Sequence, residues 1–193
     1  MIILTQIAKN TVARASTPLA VVAAQSKGAL TKAMIVDRAL KIASHQGLEG
    51  LTVGLLAEAL AMSKSGVFAH FGSREELQLA VVREYYQRFE ARVFQPALKV
   101  PKGLARLQKM INLWMQTSIQ ELSAGCIFIS GAVEFDDRPG PVRDELVRSV
   151  QIWRAALKRA IEQAIEVGDL KKDCAPETML FQIYSYVQGL HHD

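Results

Sequence analysis

The sequence predicts an all-α fold, in which a three-helix domain is joined to a larger helical domain. From Thr31 onward, apolar residues recur every three or four positions, as they do on one face of an α-helix. Helix-capping hydroxyl residues, and glycines and prolines that end helices, divide the chain into segments of helical length. Half of the 193 residues are apolar and 22% are charged, which allows a sizeable buried core.

We predict three regions: an N-terminal extension at residues 1–30, a helix-turn-helix domain at residues 31–78 and a second helical domain at residues 79–193. The extension is expected to be flexible. Its apolar stretches are too short to span a membrane, and positive charge does not precede them as it does in a signal peptide.

The first helix is predicted from Thr31 to about Gln46 and Gly47, with an apolar stripe at spacings of three and four. The stripe consists of Ile35, Ala39, Ile42 and Ala43. A second helix is predicted after Thr52, a natural N-cap. Each of these helices has one apolar face, so both are expected to pack against a shared core.

The third and fourth helices are predicted from serine caps. Ser63 opens a short third helix, and Ser73 with Glu76 forms a capping box at the start of the fourth. Only residues 60–62 separate the second helix from the third, so the connection must be a tight turn. This order of helices is that of a helix-turn-helix.

In a helix-turn-helix, the second short helix enters the major groove of DNA with its N-terminal residues first. The predicted front of this helix, Ser63-Lys64-Ser65-Gly66, combines small side chains with a cation and exposed amides that favour phosphate. Val67 and Phe71 are predicted to face the core.

The charge is located in the same half of the chain. Residues 1–94 hold eleven Lys/Arg and seven Asp/Glu, whereas residues 95–193 hold twelve of each. This balance is typical of a phosphate-binding module, although random scatter explains it about equally well.

Each residue also has a structural explanation. Thr52 and Ser63 can be caps and nothing more, Gly66 can relieve a crowded helix crossing, and His70 can be an ordinary histidine. The ordered set favours the DNA-binding interpretation.

Residues 31–79 resemble the DNA-binding domain of the tetracycline-repressor-like (TetR) family of bacterial regulators. The matching positions are Ala39, Gly47, Thr52-Val53, Ala57, Ser63-Lys64, His70-Phe71 and Ser73-Arg74-Glu75. The resemblance implies that Thr52 and Lys64 contact phosphates. It also implies that Ser65, Gly66 and Ala69 face the bases, and that His70 and Arg74 contact the DNA backbone.

Three positions depart from the family pattern. Ala61 occupies a turn position that is usually Gly, so the turn must do without the freedom of Gly at positive φ. Phe68 replaces a frequent Tyr and lacks its phosphate-binding hydroxyl. Ser65-Gly66 replaces the more usual Gly-Thr order.

The last two predicted helices have long apolar stripes that suggest a homodimer interface. The candidate interface residues are Leu146, Val150, Trp153, Leu157, Ile161, Leu180, Ile183, Tyr184 and Val187. Packing within one chain is the alternative, and the family resemblance favours the dimer, which would bind a palindromic operator. The sequence ends within the last predicted helix, so part of the dimer surface is expected beyond Asp193.

The middle helices are predicted to hold a small-molecule effector. The candidate pocket residues are Trp114, Met115, Glu121, Phe128, Glu134, Phe135, Trp153 and Phe181. The acidic segment 134–144 suggests either a metal site or a capped loop between helices, and the loop interpretation is favoured.

Other classes of protein fit the sequence less well. The histidines and the two cysteines have no metal-binding or catalytic spacing, no Gly-rich phosphate loop is present, and Cys126 lies in an apolar segment that disfavours a thiolate. An architectural DNA-binding protein would carry more basic surface. The prediction is a cytoplasmic, ligand-responsive regulator, a repressor without cofactor or metal that binds double-stranded DNA. A helical interaction module with a degenerate helix-turn-helix remains the alternative.

Overall fold

A computed structural model describes residues 26–122 and 124–190, and every regular element in these ranges is helical. The helices are α1 Lys27–Gly50, α2 Val53–Ala59, α3 Lys64–Phe71, α4 Arg74–Phe89, a π-helical segment Glu90–Phe94, α5 Gln95–Leu98, α6 Leu104–Glu121, α7 Ile127–Phe135, α8 Pro141–Glu166 and α9 Pro176–Gly189. The all-α prediction is confirmed. Most of the predicted flexible extension, residues 1–25, lies outside the described residues.

Helix α1 begins four residues before the predicted start at Thr31. Ser26 caps it, because its Oγ accepts a hydrogen bond of 3.2 Å from the amide of Ala29. Residues 27–30 are exposed, so no apolar periodicity signals this turn. The predicted end is confirmed by Gly47, whose backbone is non-helical at φ 76° and ψ 168°, before a last turn to Gly50.

The three predicted caps are confirmed. Thr52 Oγ1 accepts from the amide of Leu55 at 3.2 Å, at the start of α2. The Oγ atoms of Ser63 and Ser73 accept at 3.0 Å from the amides three residues further on, at the starts of α3 and α4. Local capping bonds therefore mark the starts of α2, α3 and α4.

The turn between α2 and α3 has a left-handed residue that is not glycine. Ala61 has φ 51°, the one positive φ of a non-glycine residue in the described ranges. The turn therefore adopts the conformation for which Gly is suited, but with a Cβ that costs energy there.

Helix α4 ends at Phe89, but the chain stays helical past Pro96. The backbone passes through the π-helical segment Glu90–Phe94 and stays helical to Leu98. Proline has no backbone N–H to donate and its ring crowds the preceding turn, and a π-helical turn is one way for a helix to absorb such a disturbance.

Two hydrophobic cores meet along α4. The first core is formed by helices α1, α2, α3 and α4. It also includes buried residues of α7 and α8, namely Ile127, Phe135, Val142 and Leu146. The second lies between the end of α4, the π-helical segment and helices α5, α6, α8 and α9. Because the first core extends into α7 and α8, the helix-turn-helix and the second domain share packing.

Candidate functional site

The third helix presents one face to the core and the other to solvent. Val67 and Phe71 are buried, as predicted, with relative exposures of 1% and 9%. Ser65, Phe68 and Ala69 are exposed on the other face. The Phe68 side chain is 46% exposed, which leaves its ring available for contact.

The front of α3 is organised around Ser63. Its Oγ lies 3.0 Å from the amide of Gly66 and 3.1 Å from the Oγ of Ser65. A Cβ added at Gly66 would lie 3.1 Å from that same oxygen. The absence of a side chain at Gly66 therefore leaves space for the capping hydroxyl of Ser63. This is a structural role in addition to the predicted base contact.

Lys64 folds back towards the start of α2. A Cβ added at Gly54 would lie 3.4 Å from Lys64 Cε, 3.7 Å from its Nζ and 3.9 Å from Thr52 Oγ1. The ammonium group and the threonine hydroxyl thus both lie within 4 Å of one point beside Gly54, at the start of α2. An ammonium, a hydroxyl and exposed amides form a surface that suits a phosphate.

Arg74 binds within the protein. Its Nε donates to the carbonyl of Leu51 at 3.0 Å and its Nη2 donates to the carbonyl of Glu49. These bonds satisfy carbonyls at the end of α1. The predicted contact of Arg74 with the DNA backbone stays a prediction, as does that of the half-buried His70.

Sequence reasoning missed Lys32. Its Nζ lies 5.2 Å from the centroid of the Phe71 ring, which brings a cation of α1 beside the third helix. The contact joins residues far apart in the sequence, so no local pattern signals it.

A second candidate site is a cavity between α4, α6, α7, α8 and α9. The enclosed space is small, because the centre of a water-sized sphere can reach only about 30 Å³ of it. The lining residues are Tyr85, Phe89, Trp114, Thr117, Ser118, Glu121, Cys126, Phe128, Val150, Trp153, Tyr184, Val187 and Gln188. Six of these thirteen residues are aromatic and four have polar Thr, Ser, Glu or Gln side chains, a mixture that is usual for a small-molecule site.

Four of the predicted pocket residues line this cavity, namely Trp114, Glu121, Phe128 and Trp153. The buried indole N–H of Trp153 has no hydrogen-bond acceptor among the described residues. A buried donor without an acceptor costs about 1 to 3 kcal/mol, so an acceptor atom of a bound molecule would be stabilised there.

The other predicted pocket residues lie elsewhere. Met115 and Phe181 are exposed, at 36% and 65%. Phe135 is buried and lines a separate hollow between α7 and α8. Glu134 lies against the end of α1, where its Oε2 accepts a hydrogen bond of 2.8 Å from the amide of Glu49.

Within the lining of the cavity, the Tyr85 hydroxyl donates to Glu121 Oε2 at 2.6 Å and lies 3.3 Å from Cys126 Sγ. Burial raises the pKa of the Glu121 carboxyl, the Cys126 thiol and the Tyr85 hydroxyl. Tyr85 and Cys126 were not predicted as site residues, because their contacts span distant parts of the chain.

A polar cleft adjoins the cavity and shares Tyr85, Phe89, Thr117 and Glu121 with it. Its cationic residues are Lys41, Arg88 and Arg92. Asp37 binds Lys41 and Arg88 at 2.9 Å each, and hydrogen bonds from these two cations lower its pKa.

Most of the predicted interface residues are buried by packing within the single chain. Leu146, Trp153, Leu157, Ile161, Leu180 and Val187 are buried, and Val150, Ile183 and Tyr184 are half-buried. The same two helices expose other apolar side chains: Ile152 at 41%, Phe181 at 65% and Tyr186 at 76%.

Two further findings concern the described residues alone. None of their helices is long and apolar enough to cross a membrane. Within them, no group of three or more His, Cys, Asp and Glu residues could hold a metal ion, and Glu134 of the acidic segment bonds to the protein backbone instead.

Two family profiles together match more than half of the chain. The profile described as "Bacterial regulatory proteins, tetR family" matches residues 35–81. The profile "Tetracyclin repressor-like, C-terminal domain" matches residues 103–193.

The chain is also similar to individual transcriptional regulators. The chain is 24% identical over 158 residues to the HTH-type transcriptional repressor DhaR of Mycobacterium sp. strain GP1, covering 80% of this chain and 77% of that one. A TetR transcriptional regulator of Chloroflexus aurantiacus has a similar structure, with a TM-score of 0.76, 21% identity and coverage of 86% and 84%. The structure of AibR in complex with isovaleryl coenzyme A and operator DNA has a TM-score of 0.70, 20% identity and coverage of 84% and 86%.

Proposed function

The chain belongs to the TetR family of bacterial transcriptional regulators, and from this premise we propose that it is a repressor that binds a palindromic operator as a homodimer. A small molecule in the aromatic cavity would release it from DNA. The observation that carries the proposal is the geometry of α3, which buries Val67 and Phe71 and exposes Ser65, Phe68 and Ala69.

A homodimer is part of the proposal because one short helix reads few bases. Two copies of α3 about one turn of DNA apart double the contacts and require a palindrome. The exposed apolar side chains of α8 and α9, Ile152, Phe181 and Tyr186, supply a surface for the second copy. The buried interface residues predicted from the apolar stripes of α8 and α9 would pack beneath this surface and hold it in place.

The cavity is connected to the DNA-binding domain through α7. Cys126 and Phe128 line the cavity at one end of this helix, and Glu134 near its other end binds the amide of Glu49 in α1. A Cβ added at Gly125 would lie 2.2 Å from the carbonyl oxygen of Ser44, so this loop also touches α1 closely. Movement of α7 would therefore displace the end of α1.

Helix α4 supplies a second connection. Tyr85 and Phe89 line the cavity, and the start of the same helix follows α3 directly after Gly72 and Ser73. An effector that tilts α4 would change the separation of the two reading helices in a dimer. A coupling of about 1 to 3 kcal/mol is enough to change operator affinity severalfold or more.

The effector proposal draws on the cavity and on one protein of similar structure. AibR forms a complex with isovaleryl coenzyme A and operator DNA, so a protein of this fold can hold both. The cytoplasm is the proposed location, because the DNA that a bacterial regulator binds lies there.

The proposal is tested by selecting bound sequences from a random duplex library. The wild type should enrich one palindrome. Ala69→Glu, which adds a negative charge to the exposed face of α3, should abolish the enrichment. The matched control Ala105→Glu adds the same charge on α6, away from α3, and should enrich the same palindrome. A folded protein that enriches no sequence would favour the alternative, an interaction module with a degenerate helix-turn-helix.

A further inference from the structure

The exposed face of α3 is formed by Ser65, Phe68 and Ala69. Spacings of three and four residues place these positions on one side of a helix, opposite the buried Val67 and Phe71. In a helix-turn-helix, the exposed side of this helix meets the base edges in the major groove. The chemistry of these three side chains therefore limits which bases the helix can recognise.

This face carries no side chain that recognises a base through charge or through paired hydrogen bonds. Arg or Lys binds guanine in this way, Asn or Gln binds adenine, and Asp or Glu accepts from cytosine. None of these residue types occupies position 65, 68 or 69. Lys64 is the neighbouring cation of the same helix, and its ammonium group lies within 4 Å of a point beside Gly54 in α2. That location suits contact with a phosphate.

The hydroxyl group of this face already has a partner. Ser65 Oγ lies 3.1 Å from Ser63 Oγ, which also accepts a hydrogen bond from the amide of Gly66. A serine hydroxyl also bonds to more than one kind of base edge, so it discriminates weakly. His70 is half-buried in the last turn of α3, away from the N-terminal end that enters the groove first. The exposed face is therefore left with apolar groups as its main means of recognition.

Phe68 is the largest side chain on this face. Its ring has no hydrogen-bond donor or acceptor, so contact with a phosphate would remove water from the anion without replacing the lost hydrogen bonds. In the major groove, the methyl group of thymine is the apolar group that distinguishes this base from the other three. Contact between the ring and this methyl group would remove apolar surface of both from water, which is favourable.

We propose that Phe68 is a specificity-determining residue that recognises the methyl group of a thymine in each half-site of the operator. The exposed Ala69 beside it would extend the apolar contact. The inference rests on the proposed function, because α3 is the reading helix there. It adds the chemistry by which this helix selects a base.

Uracil tests the proposal, because it pairs as thymine does and lacks the methyl group. The probe is the palindrome that the protein enriches from the random duplex library. Its thymines are replaced by uracil one position at a time, in one half-site or in both, and fluorescence anisotropy measures each affinity. At one position the affinity should fall about fourfold for one half-site and about 15-fold for both, as expected when each contact loses one buried methyl group.

Three variants assign the effect to the ring. Phe68→Ala should bind the thymine and uracil forms of that position equally. Phe68→Leu keeps an apolar side chain and should retain most of the preference for thymine. Leu98→Ala is the matched control, because it removes an apolar side chain of similar exposure, 43%, from α5, and its preference should equal that of the wild type. Circular dichroism verifies that the helices of each variant are intact.

Equal affinity of the wild type for the thymine and uracil forms at every position would overturn the proposal. A preference for thymine that Phe68→Ala leaves unchanged would also overturn it, since the methyl group would then act through the shape of the DNA or through another residue.

The same experiment separates this inference from the proposed function. A palindrome that is enriched and then bound equally well in both forms contradicts the role of Phe68 alone, and the chain remains a regulator. A folded chain that enriches no sequence contradicts the proposed function, and the inference fails with it.

Discussion

Lys64 brings a full charge to the front of α3, beside Thr52 and the start of α2. Lys64→Ala should weaken operator binding, because it removes a proposed phosphate contact. The slope of log affinity against log salt should become shallower by about one unit. Fluorescence anisotropy at several salt concentrations measures both effects. Lys109→Ala, an exposed lysine of α6, serves as control, and an unchanged slope for Lys64→Ala would show that Lys64 contacts no phosphate.

Ala61 stores backbone strain in the turn before the reading helix. Since its φ is 51°, Ala61→Gly should raise the free energy of unfolding by about 0.5 to 1 kcal/mol. Ala59→Gly, two residues earlier in helical backbone, should lower it by up to about 1 kcal/mol. Urea unfolding compares the two. A loss of stability in both variants would contradict the left-handed turn.

The burial of the Glu121 carboxyl predicts that the stability of the protein depends on pH. Burial raises its folded-state pKa above the ordinary value of 4.5, so the folded protein favours the neutral carboxyl. The stability that this group contributes is complete below pH 4.5 and is lost as the pH rises through the raised value. Glu121→Gln cannot ionise, so its stability relative to the wild type should increase over that range.

Urea unfolding at several pH values measures the Glu121 effect, with Glu58→Gln as the exposed control. A difference between Glu121→Gln and the wild type that is independent of pH would mean that Glu121 is not desolvated in the fold.

At the scale of elements, the contact between α7 and α1 is the one on which the proposed coupling depends most. Glu134 Oε2 accepts from the amide of Glu49 at 2.8 Å, and a Cβ added at Gly47 would lie within van der Waals overlap of the same carboxylate. Glu134→Ala should lower the free energy of unfolding by about 1 to 2 kcal/mol, because it leaves this amide unpaired.

Thermal and urea unfolding measure the Glu134 contribution. Asp137→Ala removes an exposed carboxylate two residues after α7 and should change stability by less than about 0.5 kcal/mol. If the two variants lose equal stability, the hydrogen bond between Glu134 and the amide of Glu49 contributes nothing to the free energy of unfolding.

The sequence was sufficient where local chemistry decides the structure. Thr52, Ser63 and Ser73 cap helices through bonds that span three residues, so their types and positions predict the start of each helix. The contact of Tyr85 with Glu121 spans 36 residues and its contact with Cys126 spans 41. Tertiary packing decides such contacts, and a helical period cannot reveal them.

The apolar stripe of α8 shows the same limit. A stripe predicts that one face is covered, and it does not say by which chain. In the structure Leu157 and Ile161 are fully buried within one chain, whereas Ile152 of the same helix is 41% exposed. The surface for a second copy therefore has to be taken from exposure in three dimensions.

At the scale of the whole molecule, the proposed mechanism requires two chains on one operator. The shared packing of α7 and α8 with α1 to α4 places the DNA-binding domain and the cavity on one framework. Two such chains joined through α8 and α9 would hold two copies of α3 at a fixed spacing. An effector that alters this spacing would alter the affinity of both half-sites together.

The most direct measurement is the mass of the complex with the selected operator, by analytical ultracentrifugation, beside the complex with a single half-site. The proposed mechanism predicts two chains on the palindrome, half-site centres about one helical turn of DNA apart, and much weaker binding of the half-site duplex. One chain per palindrome, or equal affinity for the half-site and the whole operator, would contradict it.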